Sequence, residues 1–143
     1  VVHGIQHSSV PIFDLQEEYE IQMHVRKLIK QQFLRSAHDV ADGGLFTALM
    51  ECAIASNFGF NIETVDTFRK DCFLFGEFSS RIIVTIAPDQ EDSFLNYLIN
   101  NNVSFTKLGE VFGNEVIINE ENFGSVDEWK LVYENTLGEL IES

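Results

Sequence analysis

Apolar residues recur along the chain at two spacings, one suited to helices and one to strands, and the switches between them mark the elements. Asp14 and Glu17 have capping-box spacing at the head of a stretch whose apolar positions include Leu15, Tyr19, Met23 and Val25, which predicts a helix running to about Leu34. A short apolar strand follows and leads into a turn at Asp42-Gly43-Gly44. Residues 45–55 are helical in composition, residues 58–62 read as a short strand, and a helical turn is expected over 66–73. The β-branched run Arg81-Ile82-Ile83-Val84-Thr85-Ile86, stopped by Pro88, reads as a buried central strand. Asp89 stands where it can cap a helix carrying Phe94, Leu95, Leu98 and Ile99. Residues 104–112 and 115–118 flank Gly113-Asn114, which is hairpin chemistry. Ser125 and Glu128 repeat the capping-box pattern before a last helix with Trp129, Val132, Tyr133 and Leu137 on its apolar side. An order that mixes hairpins with crossovers implies an α/β (α+β) fold, a mixed sheet covered by helices.

Composition sets the scale of that fold. At 143 residues and 45% hydrophobic content the chain is long enough for one core and short for two, so residues 1–143 are expected to form a single domain. No repeat or low-complexity linker divides it. The formal charge of -14 opposes nucleic acid and anionic membrane alike. Nine acidic residues against one Lys over 108–143 make that end the most repulsive. No apolar run approaches the ~20 residues of a membrane span, and nothing resembles a signal peptide, so a cytoplasmic location is expected. Cys52 and Cys72 are too few for a zinc site or a disulfide framework and read as buried thiols. His3, His7 and His24 lack metal-ligand spacing and read as surface residues. Trp129 and Tyr133 lie one helical turn apart and read as core. A first residue that is Val and not Met suggests a piece of a longer polypeptide.

The chemistry concentrates in Ser36-Ala37-His38-Asp39-Val40-Ala41-Asp42-Gly43-Gly44-Leu45. Gly43 and Gly44 permit positive φ at a helix N-terminus, where free amides favour an anion. Asp39 and Asp42 would repel a bare phosphate there, but they become useful if Mg²⁺ lies between carboxylate and phosphate oxygens. The local expectation is a metal-bridged phosphate; the alternative, that Asp42 merely caps the helix and the glycines serve only the turn, stays open. His38 can orient Asp39, donate to a phosphate, or bond local backbone. Glu77 and Arg81 can join a polar cluster at the same edge or pair with each other.

The same string resembles the S-A-H-D-x-S-D-G-G-L motif in the final domain of the phosphoribosylformylglycinamidine synthase family, the amidating enzymes of purine biosynthesis. Further landmarks follow in the family's order: His7-Ser8-Ser9-Val10-Pro11-Ile12-Phe13-Asp14-Leu15, then Phe73-Leu74-Phe75-Gly76-Glu77 with Ser80-Arg81-Ile82-Ile83-Val84, then Lys107-Leu108-Gly109-Glu110-Val111. Related families, among them AIR synthase, selenophosphate synthetase and thiamin-phosphate kinase, share the fold, but their glycine turns usually lack the His-Asp pair.

The resemblance implies a C-terminal domain of partly ferredoxin-like topology from the second of two pseudo-repeated halves. In such enzymes ATP activates the formamide oxygen of formylglycinamide ribonucleotide, and ammonia from a glutaminase displaces phosphate to give formylglycinamidine ribonucleotide. The implied partners are the remaining domains of the polypeptide, a glutaminase subunit and a small accessory subunit. The active half lies elsewhere, so catalytic residues are not assigned here and the domain alone is expected to be inactive. The second half holds an auxiliary Mg·ADP, with Asp39 as the implied Mg²⁺ ligand and His38, Asp42, Gly43 and Gly44 at the nucleotide. Two departures stand out: Ala41 replaces the motif Ser that contacts nucleotide, and Phe78-Ser79 replaces a polar pair before Ser80-Arg81. The alternatives are another ATP-using synthetase or kinase of the same superfamily, or a nucleotide-free dimerisation or binding module.

Overall fold

The computed structural model describes residues 13–65 and 69–142, with side chains described as far as residue 136. In chain order the elements are α1 (Leu15–Lys30), β1 (Leu34–Asp39), α2 (Gly44–Ser56), β2 (Phe60–Ile62), α3 (Lys70–Phe75), β3 (Ile82–Ile86), a 3₁₀ turn (Pro88–Gln90), α4 (Glu91–Asn100), β4 (Gly109–Val111), β5 (Glu115–Ile118), β6 (Glu121–Ser125) and α5 (Val126–Glu142). β1 and β3 form an antiparallel pair, and the other strands form a mixed sheet in the order β4-β2-β5-β6 with β2 and β5 parallel. The mixed sheet covered by helices matches the fold class read from the sequence.

Two cores result. Phe60 and Ile62 of β2 and Val116 and Ile118 of β5 are buried at every second position, as half-covered strands require, and they pack on Leu45, Leu49, Met50 and Ala53 of α2. Leu28 of α1 meets Phe94 and Leu98 of α4 over Leu34, Val84 and Ile86. β3 serves both, because Val84 and Ile86 face the second core while Ile83 packs against the first. It is nevertheless no buried central strand: all five of its residues are half-buried, and among the described residues its sheet is two strands wide.

The start of α1 follows the sequence, with Asp14 Oδ1 accepting from the amides of Gln16 and Glu17 at 2.8 and 3.1 Å. Its end does not reach Leu34. Gln32 adopts φ +59° and the chain closes as a Schellman motif, Phe33 N donating to Leu28 O and Gln32 N to Ile29 O. Leu15, Tyr19 and Met23 are exposed, and Leu28 is the buried residue of this helix. Asp89 caps nothing; Pro88 opens a 3₁₀ turn, and α4 begins after Gln90 without a side-chain cap.

The expected hairpin at Gly113-Asn114 is also corrected. β4 and β5 do flank it, but β2 lies between them, and the turn crosses the end of β2 with Gly59 N donating to Gly113 O and Phe112 N to Gly59 O. The hairpin joins β5 to β6 through Asn119 and Glu120, both left-handed at φ +50° and +66°. At α5 the capping box is complete: Glu128 N donates to Ser125 Oγ and Ser125 N to Glu128 Oε2. Trp129 is half-buried, edge-on to Phe46 at 5.3 Å, and donates through Nε1 to Phe123 O. Val132 and Tyr133 are exposed and not core, and the Leu137 side chain lies outside the described residues. Cys52 and Cys72 are half-buried free thiols, less buried than expected. His24 is half-buried and not a free surface residue, with Nδ1 2.9 Å from Tyr97 Oη across α1 and α4. His3, His7, the segment before Phe13 and the start of the expected turn at Asp66 lie outside the described residues. Among the described residues no helix is long and apolar enough to cross a membrane.

Candidate functional site

The motif string occupies β1, the turn after it and the first turn of α2. β1 is more polar than the short apolar strand expected, with Arg35, Ser36 and Ala37 exposed, and among the described residues it pairs with β3 alone. The strand alternates. Ser36 and His38 pair with Thr85 and Ile83, while Asp39 pairs with Ile82, so the His38 and Asp39 side chains start from opposite faces of the strand, yet at its end His38 Nδ1 comes within 3.9 Å of Asp39 Oδ1. The Asp39 carboxylate is 81% exposed.

His38 takes its backbone role and a second one besides. Nδ1 lies 2.6 Å from Asp39 O, and Nε2 lies 3.3 Å from Glu51 Oε2 on α2. Tyr133 of α5 in turn donates to Glu51 Oε1 at 3.4 Å. Sequence reading missed Glu51 and Tyr133. Their spacing on α2 and α5 carries no motif, and only the packing of those helices brings them to β1. Together with Cys52, Phe58 and Thr85 they line an open groove of about 820 Å³. Burial there, with the Glu51 charge adjacent, pushes the Cys52 thiol above its usual range.

Gly43 and Gly44 both have positive φ, +80° and +73°, as the turn demands. The close approach they permit is internal. A Cβ on Gly43 would lie 2.4 Å from Thr47 Oγ1, and one on Gly44 2.7 Å from the Phe75 carbonyl carbon at the end of α3. Their amides are not free, as the sequence reading assumed: Gly43 N donates to Glu77 Oε1 at 2.9 Å and Gly44 N to Ala41 O at 3.1 Å. The N-cap of α2 is Gly43, which has no side chain to cap with, and Asp42, which is exposed, does not take that role.

Glu77 and Arg81 do not pair with each other through any of the bonds that hold them. Arg81 donates to Gly76 O and Phe73 O at 3.1 and 3.3 Å and lies over the Phe73 and Phe78 rings. Burial draws its guanidinium below the usual arginine range. That clasp fixes the loop from which Glu77 reaches the glycine turn.

Among the described residues no group of three or more His, Cys, Asp or Glu could hold a metal ion. Mg²⁺ needs only one or two carboxylates when phosphate oxygens and water complete its shell, and Asp39 offers one. A phosphate seeking the Gly43 amide would meet the Glu77 carboxylate first.

Residues 1–119 match the family described as AIR synthase related protein, C-terminal domain. The chain is 32% identical over 149 residues to the phosphoribosylformylglycinamidine synthase subunit PurL of Alkaliphilus metalliredigens, covering 99% of this chain and 20% of that protein. It is 38% identical over 131 residues to the PurL subunit of Synechocystis sp., covering 89% of this chain and 17% of the relative. The chain thus spans about a fifth of the length of the curated relatives it matches. Among solved structures, Thermotoga maritima PurL complexed with FGAR superposes with a TM-score of 0.73 at 16% identity, covering 90% of this chain and 23% of that one. The same protein complexed with ATP gives 0.63 at 15% identity (80% and 21% covered), and PurLQS from that organism gives 0.70 at 16% (82% and 22%). At such identities the likeness shows the fold. The chain belongs to the AIR synthase related family as its C-terminal domain.

Proposed function

We propose that, as a member of that family, this chain is the C-terminal domain of the second half of a phosphoribosylformylglycinamidine synthase, a single domain over residues 1–143 that works as a component of the enzyme. The whole enzyme joins ammonia to formylglycinamide ribonucleotide at the expense of ATP in purine biosynthesis. Its partners are the remaining domains of the polypeptide, a glutaminase subunit and a small accessory subunit, in the cytoplasm. The observation that carries this reading is that relatives of one name align with nearly the whole chain. The FGAR and ATP complexes of the Thermotoga protein and the PurLQS assembly are consistent with it.

Within the enzyme the domain supports an auxiliary Mg·ADP site. Asp39 is its Mg²⁺ ligand, and His38, Asp42, Gly43 and Gly44 form the wall beside the nucleotide. The bound Mg²⁺ supplies the positive charge that lets phosphate lie among Asp39, Asp42 and Glu77. Ala41 contributes no hydroxyl, and the Gly43 amide serves Glu77, so this wall holds nucleotide through metal and shape more than through side-chain hydrogen bonds.

The experiment is ammonia-dependent amidation of formylglycinamide ribonucleotide, measured for the parent polypeptide and for this chain alone. Turnover by the parent and none by the chain is the expected result. Amidation by a parent from which this domain has been deleted would overturn it. One observation favours a second reading, a nucleotide-free binding module: both glycine amides are engaged internally. That reading predicts no Mg·ADP binding at all.

A further inference from the structure

We propose that α1 pairs two copies of this chain, antiparallel, about a two-fold axis at Gln22. The helix has two faces. Leu28 turns inward to Phe94 and Leu98, while Leu15, Tyr19, Gln22, Arg26 and Ile29 lie on the outer side and are all exposed. Their spacing of four, three, four and three residues is the seam of paired helices. Leu15, the first of them, is 72% exposed and Ile29, the last, 52%.

Charge identifies the occupant. The chain carries -14 overall, yet this helix is acidic at its start, with Asp14, Glu17 and Glu18, and basic at its end, with Arg26, Lys27 and Lys30. Laid antiparallel on itself about Gln22, it sets Glu18 across from Arg26 of the other copy and Asp14 across from Lys30. Leu15 then meets Ile29, and Tyr19 meets Val25. Each pair is opposite in charge or apolar on both sides, and each is made twice, as an isologous contact requires. A slip of one turn carries either Leu15 or Ile29 past the end of the facing helix. Among the described residues neither Arg26 nor Lys30 has an ion-pair partner within its own chain. Glu18 is held in place, with Ser80 Oγ donating to its Oε2 at 2.7 Å and Gln22 Nε2 to its Oε1 at 2.6 Å, and its oxygens keep lone pairs for a guanidinium. Val25, Ile29 and Ile82 give an apolar lining to a groove of about 390 Å³ beside the stripe, where Leu15 of the other copy would lie. The exposed apolar residues of α5 have no such match, because Asp127, Glu128 and Glu134 stand there against Lys130, and a second copy would meet like charge. Two helices about 24 Å long bury an area at the low end for specific complexes, so the dimer is a micromolar one.

The test is sedimentation equilibrium of the unaltered chain and of Glu18→Arg, Arg26→Glu and Tyr19→Glu, with helix content followed by circular dichroism. The unaltered chain is expected to dimerise, more weakly as salt rises. Glu18→Arg places two cations opposite each other and Arg26→Glu two anions, so each alone should dimerise at least about tenfold more weakly. Mixed one to one, the two variants again oppose unlike charges and should recover the unaltered affinity. Tyr19→Glu, at a residue exposed in the monomer, should abolish pairing and leave the helix content unchanged. An unaltered chain that stays monomeric at millimolar concentration, or that forms open-ended higher oligomers, overturns the inference. So does a dimer indifferent to Tyr19→Glu, or a mixture of the two folded charge variants that remains monomeric; where either charge variant fails to fold, Tyr19→Glu decides.

Discussion

Glu77 and Gly43, 34 residues apart in sequence, are joined by a 2.9 Å hydrogen bond in which the carboxylate takes the amide at the head of α2. The chain thus supplies its own anion where a helix N-terminus would otherwise attract one. Glu77→Ala should lower stability by about 0.5–1 kcal/mol, since the bond is solvent-exposed. It should also raise the affinity for free inorganic phosphate. Urea unfolding and phosphate titration check the two effects; a variant that binds phosphate no better would show that the amide is shielded by more than Glu77.

Gly44→Ala should be among the most damaging single substitutions in the motif. It combines φ +73° with a Cβ 2.7 Å from the α3 backbone, and a loss above about 2 kcal/mol is expected. Gly113→Ala provides the comparison, because φ is +56° but nothing lies within 4 Å of its Cβ. It should lose about 1 kcal/mol. Thermal unfolding of both separates clash from conformation.

The two cores should answer to truncation at similar cost. Leu45→Ala in the first and Leu98→Ala in the second each remove a side chain at most 4% exposed and should cost about 2–5 kcal/mol. β3 touches both cores, so unfolding is expected to stay a single transition by circular dichroism and tryptophan fluorescence. Trp129 reports on the first core, and a fluorescence change that precedes loss of helix would indicate separate units.

Acid should weaken the fold partly through two helix ends. The Ser125 amide and then its hydroxyl hold the Glu128 carboxyl below its usual range, and the Ser80 hydroxyl and then Gln22 do the same for Glu18. A depressed folded pKa means the unfolded chain binds more protons in the acid range. The contribution is therefore present above the ordinary Glu value of about 4.3 and is lost as pH falls through the folded values. Glu18→Gln with Glu128→Gln should flatten the acid limb of the urea midpoint against pH by lowering its neutral plateau, and leave the midpoint at the acid end little changed.

What the sequence made legible was local. Asp14, Ser125 and Glu128 announce two helix starts because the caps lie within three residues of the amides they satisfy. Helix and hairpin ends were hidden where residues other than glycine take left-handed backbone: Gln32 closes α1 and Glu120 completes the β5–β6 turn. Gly113-Asn114 misled because the insertion of β2 between β4 and β5 is a long-range event. The site divides the same way. His38, Asp39, Gly43 and Gly44 lie within one motif, and Glu77 stands at the edge where the sequence put it, whereas Glu51 and Tyr133 reach the site from other elements.

The central claim is that Asp39 is a Mg²⁺ ligand at an auxiliary nucleotide site. Calorimetric titration of Mg·ADP into the longer parent polypeptide, stripped of nucleotide, beside its Asp39→Asn variant, tests it most directly. The account predicts that the parent binds and that the variant, whose amide cannot replace a carboxylate on Mg²⁺, binds at least about tenfold more weakly. Equal binding by the two, or binding by neither, would contradict it.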